Sequence, residues 1–549
     1  MKHIHIDTLK DKLLVILALF MLVYTGILVY CQSVIGVSYW DIFVYLQDAL
    51  LFANINIGSQ LSVPPVLSLL TSIPFRLGFI SETSMFIVSG VLFFLLIIGV
   101  YELFNEKYSP KVSFIGSIIL SMLSLIVTWA VSGSNDAPAL TFSVWAIYFT
   151  IQGLNKDFKY YYLAFILFVF AFFTRFTEGF ILLVMLCYLG LNHDKFHTQC
   201  KENNIFKLIA FMIVTLAVIM AVYLISQGSI PFLSQFVEVS NSNQVSSVNV
   251  GYELNPFYYL QHLPEILTCW SASSQYSMML TTAVNNPTFL SYVMLLCAIL
   301  GVISFIFDII RRDESIDRWN LKFGIIIILS VFTIISYIHI SYIFTELLFI
   351  GIMLLSYKFF PNNVDKLDIV MFIWMGIFLI MHSYHPVKVD RYIMPTLIPL
   401  LYFMIKGIQD TTKTLKIKNK KTPLIILTII LLILIPINAN YISSMTHENP
   451  HTHEEKQAAQ WLQNYDENID NYNISSDRGV SFSWYLKKYT YSTIPRVLEA
   501  NNDTLENKLN TIHAKYYIDS TSKLQSIKGY HVIYDNNKTT YKLRIYERD

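Results

Sequence analysis

Of 549 residues, 54% are hydrophobic and only 14% charged, with mean hydropathy +0.50 and a formal net charge of +1. A water-soluble chain of this length needs far more charge to cover its surface, so a soluble globular protein is excluded. The net charge says nothing of a nucleic-acid partner, and none is expected, because the basic residues are dispersed among short loops.

Apolar runs near 20 residues long predict about 13 membrane helices, roughly at 13–35, 84–104, 112–131, 137–154, 158–174, 177–192, 206–227, 288–309, 322–340, 343–359, 367–384, 392–407 and 422–442. The first run is too long for a signal-peptide core and lacks a small-residue cleavage site, so it is kept as a helix. With the N-terminus cytoplasmic, the inner segments carry 22 Lys and Arg, against 4 in the outside loops between helices: Arg76, Arg175, Lys388 and Arg391. The positive-inside rule then orients the chain and puts everything after about residue 443 outside. The predicted organisation is a transmembrane domain over 1–442, with large outside loops at 36–83 and 228–287, and an extracytoplasmic α/β domain over 443–549.

The outside pieces follow in chain order. "SYWDIFVYLQDALLFAN" (38–54) is apolar yet carries Asp41 and Asp48. On a helix Asp41, Tyr45, Asp48 and Phe52 share one face, which suggests an interfacial helix presenting carboxylates to a cavity; the plainer reading has those acids facing water. Pro64-Pro65 then breaks one short helix and starts another. Asp136 in "SGSNDAPAL" lies in a short turn before a helix, where capping is its ordinary role. Arg175 in "FFTRFTEGF", and Lys388 and Arg391 in "YHPVKVDRYIMP", are cations held among apolar helices. Each needs an anion: Glu178, Asp390 or a lipid head group in the plain reading, or the phosphate of a bound lipid.

His262 and Glu265 stand three apart, and His447, His451 and His453 cluster, but neither spacing is diagnostic of a metal. The five cysteines show no framework spacing. In the tail, "THEEKQAAQWLQNY" predicts a helix with Ala458, Trp461 and Leu462 on one side. "KYYIDS" and "YHVIYDNNKTTYKLRIYER" predict strands, the latter a hairpin.

Four stretches in order carry a resemblance: "YWDIFVYLQDA", "SVPPVLSLL", "SNDAPALTFSVWAIYF" and "HPVKVDRYIMPTLIPL", with "NPFYYLQHLPEIL" as a further aromatic segment. Together they resemble the polytopic GT-C glycosyltransferases that use lipid-phosphate sugars, in particular the protein O-mannosyltransferases and the aminoarabinose transferases that modify lipid A. The chain departs from that pattern at Ile42, where the family commonly has Glu, and at Val63, where a His usually precedes the Pro pair.

The resemblance implies transfer of a sugar from a polyprenyl-phosphate donor to an acceptor hydroxyl of a protein, lipid or glycan, on the outer face of a cell membrane. It makes Asp41 the candidate base and Arg391, with Lys388 or Arg175, the phosphate clamp. Asp136, Asp48, Tyr45, His385 and Tyr392 would line the sugar or acceptor pocket. The cofactor stays undecided, a divalent cation being the candidate. The alternative is a transporter or flippase of lipid-linked glycans, which needs ionisable residues near the bilayer midplane. A non-catalytic surface protein ranks behind both, because so many helices exceed what anchoring needs.

Overall fold

The computed structural model describes residues 9–58, 61, 63–227, 255–268, 287–311, 316–339, 342–361, 364–385, 388–417, 419–444, 448–521, 524, 526–536 and 541–549. Most of loop 228–287, His447 and the turn of the predicted tail hairpin lie outside them.

A long apolar sequence without interior proline makes α1 (Leu9–Ile35), and the carboxylate stretch makes α2 (Trp40–Phe52). After Pro65 come α3 (Val66–Arg76), α4 (Glu82–Asn105), α5 (Pro110–Ser121), α6 (Ser124–Ala130), α7 (Asp136–Asn155) and α8 (Tyr160–Thr174). A 3-10 turn at Phe176–Phe180 leads into α9 (Ile181–Leu191), α10 (His193–Glu202) and α11 (Ile205–Gln227). Two short helices, α12 (Tyr258–Gln261) and α13 (Leu263–Thr268), precede α14 (Phe289–Ile310), α15 (Trp319–His339), α16 (Tyr342–Phe359) and α17 (Lys366–Tyr384). A 3-10 turn, Asp390–Thr396, opens α18 (Leu397–Thr414), and α19 (Thr422–Ser444) closes the helical part.

Every predicted apolar run contains a helix. Among the described residues nine of them are long and apolar enough to cross a membrane, or up to eleven if two bent pairs each count as one span. One predicted span, 112–131, is bent by 66° between α5 and α6, where Leu123 turns to extended backbone. Another, α8, is only 15 residues long.

Two helix backbones come into direct contact where α14 crosses α18. A Cβ at Gly301 would overlap the carbonyl of Phe403, and one at Gly407 would overlap the carbonyl of Cys297. Small residues here let the two backbones touch, which is how helices gain contact where lipid supplies no hydrophobic drive.

The tail forms a five-stranded sheet in the order β2-β1-β3-β5-β4: β1 is Asn473–Ser476, β2 Thr490–Ser492, β3 Ala514–Asp519, β4 Tyr530–Asp535 and β5 Arg544–Arg548. The predicted hairpin is β4–β5, antiparallel, and β5 also pairs antiparallel with β3. The parallel strands β1 and β2 escape the sequence pattern because they are only three or four residues long, too short to show an alternation. The predicted helix is α20 (Pro450–Tyr465); it lays Ala458 and Leu462 into the sheet core, while Trp461 stacks on Tyr465 at 4.8 Å.

This unit sits on α2. Gln47 donates to the carbonyl of Val480 (2.7 Å), Asn449 to that of Val37 (2.9 Å), and the backbone amide of Tyr489 to Ile57 (2.9 Å). Trp484 donates its indole N–H to Glu82 (2.6 Å), and Arg478 lies 4.8 Å from the ring centre of Trp40. The residue next to Asp41 is therefore packed by the tail.

Candidate active site

Asp41 stands in the first turn of α2, where its charge complements the helix dipole. Asp136 is the first residue of α7, delivered by the turn at Gly133–Asn135. Gly133 has φ +87°, and a Cβ there would press on Met85 and on Ile42 at 3.1 Å. Glycine thus lets this turn lie directly against α2, beside Asp41. Asn135 donates to the carbonyl of Thr174 (3.0 Å), tying the same turn to the end of α8, where Arg175 follows. Arg391 is the second residue of the 3-10 turn before α18, and its backbone amide is held by Asp390 (2.6 Å).

These four side chains form one row of alternating charge. Arg391 Nη2 lies 3.0 Å from Asp41 Oδ2, and Arg391 Nη1 lies 3.3 Å from Asp136 Oδ2. Asp136 Oδ1 in turn meets Arg175 Nη1 at 2.5 Å. Ser134 also donates to Asp136, and Arg391 donates to the Tyr39 hydroxyl. The Arg391 guanidinium lies 4.1 Å from the Tyr39 ring centre and 5.3 Å from that of Trp129. Arg175 lies 4.8 Å from the ring of Tyr392.

Exposure separates the two acids. The side chain of Asp136 is 1% exposed and that of Arg391 5%, whereas that of Asp41 is 36% exposed. Asp136 is a fixed counter-ion for two buried arginines, while Asp41 keeps one side open. Tyr45 is buried and Tyr39 half-buried beside this row; desolvation above all pushes both phenols above their ordinary range, with the negative charge of Asp41 adding to it and Arg391 opposing it. They remain neutral hydroxyl donors.

The other predicted site residues fall around the row. His385 and Tyr392 lie ring to ring at 5.6 Å, and Tyr392 reaches the row through Arg175. Asp48 is buried two turns along α2. The acids of this helix do not simply face water. Lys388 is placed differently: its ammonium donates to the carbonyls of His382 (3.1 Å), Ser383 (2.6 Å) and His385 (2.6 Å), so it caps the C-terminal end of α17.

Arg175 pairs with Asp136, while Glu178 accepts from Ser143 (2.7 Å). Tyr39, Trp129 and Ser134 escaped the sequence reading. Tyr39 and Ser134 had a local signal, each lying two residues before a singled-out acid, Asp41 and Asp136, in the same stretch. His262 pairs with Glu265, and His451 and His453 sit on Tyr541 and Glu448. Among the described residues no three His, Cys, Asp or Glu side chains gather at one point. The row itself does not fit a divalent cation, because guanidinium groups already stand against both carboxylates.

The chain is similar to known proteins in part of its sequence and in its fold. Residues 62–225 match the family described as dolichyl-phosphate-mannose-protein mannosyltransferase, a stretch that holds Asp136 and Arg175. The apo crystal structure of ArnT from Cupriavidus metallidurans superposes with TM-score 0.51, covering 96% of this chain and 97% of that one at 12% identity. The chain has the ArnT fold. A second ArnT structure from that organism, bound to undecaprenyl phosphate, gives TM-score 0.47 at 12% identity, with 97% of each chain covered. No curated protein matches the sequence. The resemblance read from the four motifs and the ArnT fold thus agree, along with the helical bundle and small C-terminal sheet domain.

Proposed function

We propose that this protein is a membrane glycosyltransferase that moves a sugar from a polyprenyl-phosphate donor to an acceptor hydroxyl on the outer face of a cell membrane, with the tail domain on that same side. The observation that carries this reading is Arg391, buried and two-armed, between the open carboxylate of Asp41 and the closed one of Asp136. The match to a family named for a lipid-phosphate sugar and the Lys/Arg distribution support it.

The donor phosphate competes with Asp41 for the outer arm of Arg391 and frees that carboxylate. The acceptor oxygen then attacks the anomeric carbon while Asp41 takes its proton. The carbon–oxygen bond to phosphate breaks, its electron pair leaves with the phosphate, and Arg391 meets the growing negative charge. A positioned base contributes about 10²–10⁴ in rate, and a preorganised cation in a water-poor site acts strongly on the leaving group. Asp136 and Arg175 hold Arg391 in place, and Tyr45, Tyr392, His385 and Asp48 surround the sugar or acceptor.

A transporter would need its ionisable residues near the middle of the bilayer, whereas Asp136 and Arg391 stand at helix starts. The test is incubation of purified protein with a panel of labelled polyprenyl-phosphate sugars and hydroxyl acceptors. Formation of a new glycosidic bond is expected; passage of intact lipid-linked sugar without bond formation would overturn the reading.

A further inference from the structure

The end of the bundle remote from Arg391 holds a cavity that the proposed transfer does not use. From Arg391 to Lys413, a helical rise of ~1.5 Å per residue amounts to roughly 33 Å. That is close to the thickness of a bilayer's hydrocarbon core, about 30 Å, so Lys413 stands at the opposite membrane surface. There a cavity of about 740 Å³ opens between the start of α5, the end of α18 and the start of α19. Lys111, Lys413, Lys420 and Lys421 line it, with no Asp or Glu among the lining residues. Lys413 is tied to Asp410 at 2.9 Å, and Asp410 is shared with Lys406 at 3.0 Å. Among the described residues no carboxylate pairs with Lys111, Lys420 or Lys421.

Unpaired ammonium groups around a hollow call for an anion, and the depth of the hollow says which one. Below it Leu424 begins the apolar surface of α19, and Ile425, Ile429 and Leu432 continue it as an exposed stripe at i, i+4 and i+7. A basic hollow that runs into an apolar stripe, at the level of the head groups, matches a molecule with an anionic head and acyl chains.

We infer that this cavity binds the phosphate head group of an anionic bilayer lipid, with its acyl chains along α19. The inference does not depend on the proposed transfer reaction.

The test uses the full chain purified in non-ionic detergent. Dioleoylphosphatidylglycerol, dioleoylphosphatidylcholine and inorganic phosphate are titrated separately, and bound species are read by native mass spectrometry. A lysine near an anionic surface contributes about fivefold in affinity. The expected result is preferential retention of phosphatidylglycerol, weakened at least about tenfold in a Lys111→Gln, Lys420→Gln, Lys421→Gln triple variant and kept in the matching Lys→Arg triple. The melting temperature in phosphatidylcholine should be equal for all three proteins. Equal phosphatidylglycerol binding by wild type and the Gln triple overturns the inference, as does no preference over phosphatidylcholine. Inorganic phosphate displacing the lipid at equal concentration assigns the cavity to a free anion and also overturns it.

Discussion

Arg391 follows Asp41 by 350 positions, and their side chains meet at 3.0 Å. The same guanidinium reaches Asp136 at 3.3 Å with its other terminal nitrogen. One cation thus bridges a carboxylate that is closed to solvent and one that is not, and this asymmetry makes the site's parts separable by mutation.

Asp41→Asn should leave the protein folded, because its carboxylate is 36% exposed and Arg391 keeps Asp136 as counter-ion. Sugar transfer should fall by about 10² or more. The paired readout is product formation from labelled polyprenyl-phosphate sugars and the melting temperature in detergent; normal transfer by this variant would remove Asp41 from the role of base.

Asp136→Asn should behave in the opposite order. It strips the buried counter-ion from both Arg391 and Arg175, a kind of loss that costs ~3–5 kcal/mol. A clear drop in melting temperature is expected along with loss of transfer. Unchanged stability would show that Asp136 does not hold these arginines.

Arg391→Lys keeps the charge but cannot span Asp41 and Asp136 together. Turnover should fall by about 10²–10³, the scale of losing one preorganised donor to developing charge. Lys388→Gln should instead act on stability, since its ammonium is spent on three carbonyls at the end of α17. Steady-state kinetics with both variants distinguishes the two roles.

Gly407→Ala inserts a methyl group where α18 meets the backbone of α14 at Cys297 and Gly301. Forcing those helices apart should cost about 1–3 kcal/mol. The same change at Gly324, which has no neighbour within 4 Å of an added Cβ, should cost far less. Thermal unfolding of the two variants side by side checks the contrast.

In the tail, Glu455 is buried against Arg478, and desolvation outweighs that partner and raises its carboxyl above the ordinary 4.5. The folded state therefore holds a proton that the unfolded state has released. The stabilising contribution is full below about pH 4.5 and is lost as pH rises through the higher folded value. Melting temperature measured from pH 4.5 upward should decline more steeply in wild type than in Glu455→Gln. Parallel curves would show that Glu455 does not carry the effect.

Several features could be read from local sequence, because each is a property of a short stretch of chain. Every apolar run contains a helix, since lipid leaves the backbone no other partner for its own polar groups. The helix at Pro450–Tyr465 and the hairpin β4–β5 carried visible periods of 3.6 and 2. Asp41, Arg175 and Arg391 stood out as charges in apolar surroundings, where a charge needs a reason, whereas Asp136 was a turn residue that only the family resemblance drew into the site.

Pairing was decided by the tertiary structure alone. Nothing near Arg175 in the chain says that it meets Asp136 in preference to Glu178, three residues away. Nor does the spacing of Lys388 and Arg391 reveal that one caps a helix while the other reaches two carboxylates. Tyr39 and Trp129 joined the site only because α2 and α6 converge on the turn before α18. Sequence shows where burial of a charge must be compensated; which group compensates it depends on contacts between residues up to 350 positions apart, and only the packed bundle determines those.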